Sequence, residues 1–300
     1  MSEEVAPPIP PRESGVEVNG LRFGLLSWGP EDGPLALLAH GFPDTAWTWR
    51  FVGPLLGEAG WRAVAPFTRG YGPSGLAPDD RYFVEDQAAD LLALADLLEE
   101  GRGDPVLIGH DWGAVAAWAI ASRHPDRFAS IVAMAVPPPG VLKRVWLSPS
   151  TVPTGMGQLR LSWYFLFNQF GIAERRFEGL VRRLWKAWSP AYDGTADIDL
   201  LLDSLDTPAR RRASLGYYRD NLRHGVGYLA GLEPRAPVLY LHGTDDGCGG
   251  IGLARIGAGL MAGGSRFEEV EGAGHFLNLE QPERIAGLLG EWLGTPSQGA

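Results

Sequence analysis

One stretch of this chain restricts its fold more than any other. Pro105-Val-Leu-Ile108 is an unbroken apolar run that passes straight into Gly109-His110-Asp111-Trp112-Gly113. Residues Gly113–Arg123 then read as a helix. A short apolar run bounded by a turn signal fits a strand buried on both faces. Glycines on either side of one acidic residue permit a tight strand-to-helix turn that lifts the middle side chain above the sheet. The helix N-terminus beneath it favours negative charge. A strand covered on both sides needs helices to cover it, so an α/β fold with a mostly parallel sheet is expected.

The rest of the chain keeps that rhythm. Further strands are expected at Gly15–Val18, Leu21–Trp28, Leu35–His40, Arg62–Pro66, Ser130–Met134, Pro237–Leu241 and Arg266–Val270. Helices are expected at Ala46–Leu56, Val84–Glu99, Ala254–Met261 and Pro282–Leu293. Residues 137–224 break the alternation: they open on Pro137-Pro138-Pro139-Gly140 and carry helical patterns only. In one of these, Phe177, Leu180, Val181, Leu184 and Trp188 share a face away from Arg175, Arg176, Arg182 and Arg183. The expected organisation is a disordered leader over 1–14, a core over 15–136 and 225–300, and a helical insertion over 137–224.

Composition narrows the function. The chain has 300 residues, 45% hydrophobic and 21% charged, with a net charge of −10. That is a globular balance without the basic footprint of a nucleic-acid partner. No apolar run reaches the roughly 18 residues of a membrane span, and Met1–Glu13 has no apolar core of a secretory signal. A cytoplasmic protein with neither nucleic-acid nor membrane partner is expected, a homodimer being left open. The single cysteine, Cys248, excludes an intrachain disulfide and a cysteine-cluster zinc site, and it reads as incidental. The histidines show no metal-ligand spacing and no phosphate loop appears, so neither metal nor cofactor is expected.

An aspartate at the turn after Ile108 suits nucleophilic displacement at carbon, which leaves an alkyl ester on the enzyme. Hydrolysis of that ester needs a base and an acid to orient it. The strand Pro237–Leu241 leads into His242-Gly243-Thr244-Asp245-Asp246, and the last strand into Glu271-Gly272-Ala273-Gly274-His275. Asp111 as nucleophile, Asp246 as orienting acid and His275 as base fall in the order such folds use, with Asp245 the second choice for the acid. The first buried strand ends in His40-Gly41-Phe42-Pro43. Main-chain N–H groups of Phe42 and Trp112 are the expected oxyanion hole. His40 and the segment Arg69–Gly75 are read as structural.

Together, His40-Gly-Phe-Pro43, Gly109-His-Asp-Trp-Gly113, the Asp246 segment and Gly274-His275 resemble the α/β-hydrolase superfamily, and within it the epoxide hydrolases. The resemblance covers Gly15 to Leu293. It implies an α/β-hydrolase fold with a mostly parallel central sheet flanked by helices, and an all-helical cap inserted between two strands. It also implies two cap tyrosines that donate to the epoxide oxygen. Ser162-Trp163-Tyr164-Phe165 and Gly216-Tyr217-Tyr218-Arg219 match the segments that supply them. The roles pass to Tyr164 and Tyr218, with Trp163 and Tyr217 as one-residue alternatives. Trp163 and Phe42 are expected to contact substrate. The implied reaction takes a small apolar epoxide and water to a vicinal diol. The alternatives are a haloalkane or haloacid dehalogenase with the same nucleophile, and a non-catalytic ligand receptor on a hydrolase scaffold. Against the first, Phe42 stands where a halide-binding amide is usual, and no arginine follows Asp111 to hold a carboxylate.

Overall fold

The computed structural model describes residues 9–224, 226–294 and 296. Among them, eight strands form one sheet: β1 (Arg12–Val18), β2 (Leu21–Trp28), β3 (Leu35–Ala39), β4 (Arg62–Pro66), β5 (Val106–His110), β6 (Ser130–Met134), β7 (Val238–Gly243) and β8 (Arg266–Val270). Their order across the sheet is β1-β2-β4-β3-β5-β6-β7-β8. β2 runs antiparallel to both neighbours, and all remaining pairs are parallel. The central β3, β5 and β7 are buried at every residue, as their apolar runs require. Helix Val84–Leu98 packs on helix Trp112–Arg123, and helix Val52–Glu58 packs on helix Pro282–Leu293.

Two of the expected bounds that move do so for a clear local reason. β1 opens at Arg12, inside the expected leader, because Arg12, Glu13 and Ser14 pair with Ser27, Leu26 and Leu25 of the longer β2. The Arg12 guanidinium extends the pairing to the Gly29 carbonyl at 2.8 Å. The rest of that leader, 1–8, lies outside the described residues. The expected helix Ala46–Leu56 is instead a 3-10 turn, Ala46–Trp49, followed by the α-helix Val52–Glu58. Pro54 has no N–H to donate to a preceding turn, so it tolerates only the first turn of a helix. The helix therefore restarts just ahead of it.

Residues between β6 and β7 leave the sheet although those strands are paired neighbours, Ile131 opposite Val238. Short helices from Val141 to Ala230 fill the excursion, and no strand occurs there among the described residues. They continue through Val226–Ala230, past the expected end at 224. In helix Phe177–Trp188 the residues Phe177, Leu180, Val181, Leu184 and Trp188 are all buried, as the helical period indicates. The excursion arches over the C-terminal ends of β3, β5, β7 and β8, where the loops bearing Phe42, Asp111, Asp246 and His275 meet.

Candidate active site

Asp111 sits in the turn between β5 and helix Trp112–Arg123 with φ 52° and ψ −117°. A non-glycine residue in that region stores about 1–3 kcal/mol of strain, which the surroundings must hold in place. The turn closes because backbone meets backbone. A Cβ on Gly109 would lie 2.3 Å from the Gly113 carbonyl oxygen, so only glycine fits. The aspartate is thereby pushed toward the β3 loop. There the Phe42 N–H donates to Asp111 Oδ1 at 2.7 Å. A Cβ on Gly41 would stand 2.2 Å from the same oxygen and 2.4 Å from the Trp112 nitrogen. The Phe42 amide thus bonds one carboxylate oxygen, the Trp112 nitrogen lies beside the same gap, and Gly41 leaves the room.

The other oxygen, Oδ2, is 3.4 Å from His275 Nε2. His275 Nδ1 donates to Asp246 Oδ2 at 2.9 Å, and Asp246 Oδ1 accepts the N–H groups of Cys248 (2.6 Å) and Gly249 (3.0 Å). Asp246 is buried against His275, whereas its neighbour Asp245 is exposed. Burial alone would lower the pKa of His275. The charge of Asp246 and hydrogen bonds to both carboxylates outweigh it and hold the imidazole well above its ordinary value. Burial likewise disfavours an ionised Asp246, but the charge and hydrogen bond of His275 prevail and keep its carboxyl low.

Both cap tyrosines reach this point. Tyr164 and Tyr218 line one cavity of about 140 Å³ with Asp111 and Trp112, their rings 5.6 Å apart. Burial pushes both phenols well above their ordinary pKa, so each keeps its proton at neutral pH. Tyr217 points elsewhere and donates to the Arg69 carbonyl at 3.0 Å. Trp163 does not line the cavity. It stacks under the Arg183 guanidinium, 4.5 Å away, with its ring edge-on to Tyr164. Phe42 contributes its N–H, while its ring packs edge-on against Tyr218 and Phe177 instead of lining that cavity. The expected substrate contacts of these two side chains are thus not part of the cavity wall.

Several contributors have no sequence signal. Cys248, read as incidental, lines the cavity with its Sγ 3.2 Å from Tyr164 Oη. Glu280 accepts the Gly274 N–H and the Ser189 hydroxyl, and Ser189 Oγ accepts the Phe276 N–H. These bonds pin the His275 loop to the end of cap helix Phe177–Trp188, as does the bond from His275 N–H to the Trp188 carbonyl. His110 donates from Nε2 to the His275 carbonyl at 2.9 Å. All but the Gly274–Glu280 bond span long sequence separations. His40 matches its structural reading: Nδ1 donates to the Gly41 carbonyl, and Nε2 accepts the Thr68 N–H.

Known proteins with similar sequences and structures identify the family. A family model described as "Alpha/beta hydrolase family" matches residues 36–288. Epoxide hydrolase A of Mycobacterium tuberculosis is 30% identical, aligned over 94% of this chain and 97% of that protein. The AB hydrolase superfamily protein YfhM of Bacillus subtilis is 27% identical over 93% and 96% of the two chains. Among solved structures, epoxide hydrolase A from Mycobacterium thermoresistibile superposes with a TM-score of 0.75 at 26% identity, covering 96% of this chain and 99% of that one. The chain belongs to the alpha/beta hydrolase family and, within it, to the family of the epoxide hydrolases.

Proposed function

We propose that this chain hydrolyses small apolar epoxides to vicinal diols. The observation that carries the reading is the pair of buried phenols, Tyr164 and Tyr218, facing the cavity that Asp111 enters from below. Ring opening releases an alkoxide, a poor leaving group near neutral pH, and protonated phenols stabilise it. In the first step Asp111 Oδ2 forms a bond to a ring carbon, the carbon–oxygen bond of the epoxide breaks, and the oxygen takes a proton from a tyrosine. Oδ1 remains against the Phe42 N–H and becomes the ester carbonyl oxygen.

Esterification removes the negative charge of Asp111 from beside His275. One of the interactions that hold the imidazole proton is then gone, so His275 returns that proton to the tyrosinate and the neutral ring can act as a base. His275 takes a proton from water, the hydroxide adds to the ester carbonyl, and the oxyanion is met by the amides of Phe42 and Trp112. Collapse frees the diol and restores the carboxylate. Asp246 keeps the imidazole oriented throughout.

The cavity wall supports an apolar substrate: Val115, Val136, Pro139, Val141, Leu142 and Leu229 all contribute to it. A volume near 140 Å³ favours a compact aryl or alkyl epoxide. The proposed compartment is the cytoplasm, and the proposed partners are the epoxide and water. Among the described residues no helix is long and apolar enough to cross a membrane.

The test is a panel of small aryl and alkyl epoxides beside brominated alkanes of similar size, with diol and bromide measured separately. Diol from at least one epoxide with little bromide release is expected. Efficient bromide release without any diol would replace the reading with a dehalogenase.

A further inference from the structure

Asp111, Cys248 and His275 each present one ligand-type atom, and the three atoms lie within 4.8 Å of one another in a buried pocket. From this the geometry points to a second use of the site: it binds zinc or a similar borderline-soft divalent cation, and the bound ion shuts the enzyme off. Imidazole nitrogen, thiolate sulfur and one carboxylate oxygen make a donor set that suits zinc, and a fourth position stays open to the cavity.

The distances are compatible. Zinc with ordinary bond lengths and tetrahedral angles spaces its donors roughly 3.4–3.6 Å apart. His275 Nε2 and Asp111 Oδ2 already stand 3.4 Å apart. Cys248 Sγ has only to turn from the Tyr164 hydroxyl, 3.2 Å away, toward the other two donors.

Two features beyond the cysteine support a cation here. His275 Nε2 is fully buried and meets Asp111 Oδ2 at 3.4 Å, too long for a strong hydrogen bond. Its other nitrogen donates to Asp246 at 2.9 Å, the carboxylate–histidine pairing that orients histidines on zinc. Asp111 is also suitably divided, since Oδ1 is engaged by the Phe42 N–H and Oδ2 is turned to His275. Bound zinc occupies the attacking oxygen and the base together. Inhibition is therefore expected to be competitive with the epoxide.

The inhibition rests on the reaction proposed above, but the metal binding does not, so the two are measured separately. Cobalt(II) added to the wild-type protein reads the binding without any turnover. A thiolate-to-cobalt absorption in the near ultraviolet with tetrahedral visible bands is expected, and its loss in Cys248→Ser. Zinc is then titrated into wild type and Cys248→Ser while epoxide turnover is followed, each protein compared with its own metal-free rate. Wild type should be inhibited, with recovery on adding a chelator. Removing the sulfur should shift the inhibitory concentration upward by about 10–100-fold. Cobalt bands absent from wild type, or identical zinc curves for the two proteins, would overturn the site. Cobalt bands with no measurable epoxide turnover would leave the metal site standing and sink the proposed reaction instead.

Discussion

Tyr164 and Tyr218 differ in what holds them. The Tyr164 hydroxyl touches Cys248 Sγ, whereas the Tyr218 hydroxyl pairs with the Trp112 side chain and its ring stands edge-on to Phe42, Trp112 and Phe165. Replacing either with phenylalanine removes one donor to the departing oxygen and preserves most of that packing. Each single change is expected to slow ester formation by about 10-fold or more, matching about 1.5–3 kcal/mol of charge-assisted hydrogen bonding. Single-turnover rates with a small aryl epoxide measure this, and unchanged rates in both variants would remove the phenols from the reaction. At this scale the sequence was readable where a residue sits in its own local motif. Asp111, Asp246 and His275 each follow a strand and lie beside glycines or a turn, so their positions could be named. The choice of Tyr218 over Tyr217 depends on which side of helix Pro208–His224 faces the cavity, and tertiary packing sets that side. Cys248 reaches the site through a loop whose path depends on Asp246 accepting two backbone N–H groups.

Elements carry the hole that receives the oxyanion. β3 and β5 are parallel neighbours, Ala39 opposite Gly109, so the loops after them meet without further guidance. Gly41 lies where those loops touch, and a methyl group there collides with Asp111 Oδ1. Gly41→Ala is expected to displace the Phe42 N–H from the carboxylate and lower kcat by roughly 100-fold, the scale of losing one oxyanion donor. Circular dichroism should show the fold retained, and activity within a few-fold of wild type would place the hole elsewhere. Bounds of β2, β4, β6 and β8 could be read from apolar runs and alternation because each run ends at a turn or polar residue. The split of Ala46–Leu56 was missed because apolar spacing continues through the break. Pro54 was the available signal.

The whole molecule buries ionisable groups that make its stability depend on pH. Burial pushes His40 and His110 down to about 4 and pushes Asp44 up to about 7. The two histidines are neutral when folded and take up protons on unfolding, so their contribution is complete above pH 6.5 and is lost as pH falls toward 4. Asp44 works in reverse: protonated when folded, it stabilises at low pH and loses that contribution as pH rises from 3.8 to about 7. Between those limits these three groups leave a net uptake of about one proton on unfolding, or ~1.4 kcal/mol per pH unit. Asp44→Asn removes the opposing group, so the loss of stability on acidification should steepen by up to ~1.4 kcal/mol per pH unit, with higher stability at pH 7. Denaturant unfolding across that range measures it, and an unaltered slope would show Asp44 ionised in the folded state.

The central claim is that Asp111, held between the Phe42 amide and His275, attacks carbon and is itself hydrolysed. It is tested most directly by a single turnover in heavy-oxygen water with enzyme in excess over epoxide. The diol of that first turnover should carry a substantial share of ordinary oxygen drawn from the Asp111 carboxylate, and the label should enter the enzyme. A first-turnover diol whose new oxygen comes wholly from solvent, with no label in Asp111, would contradict the account and assign the attack to water.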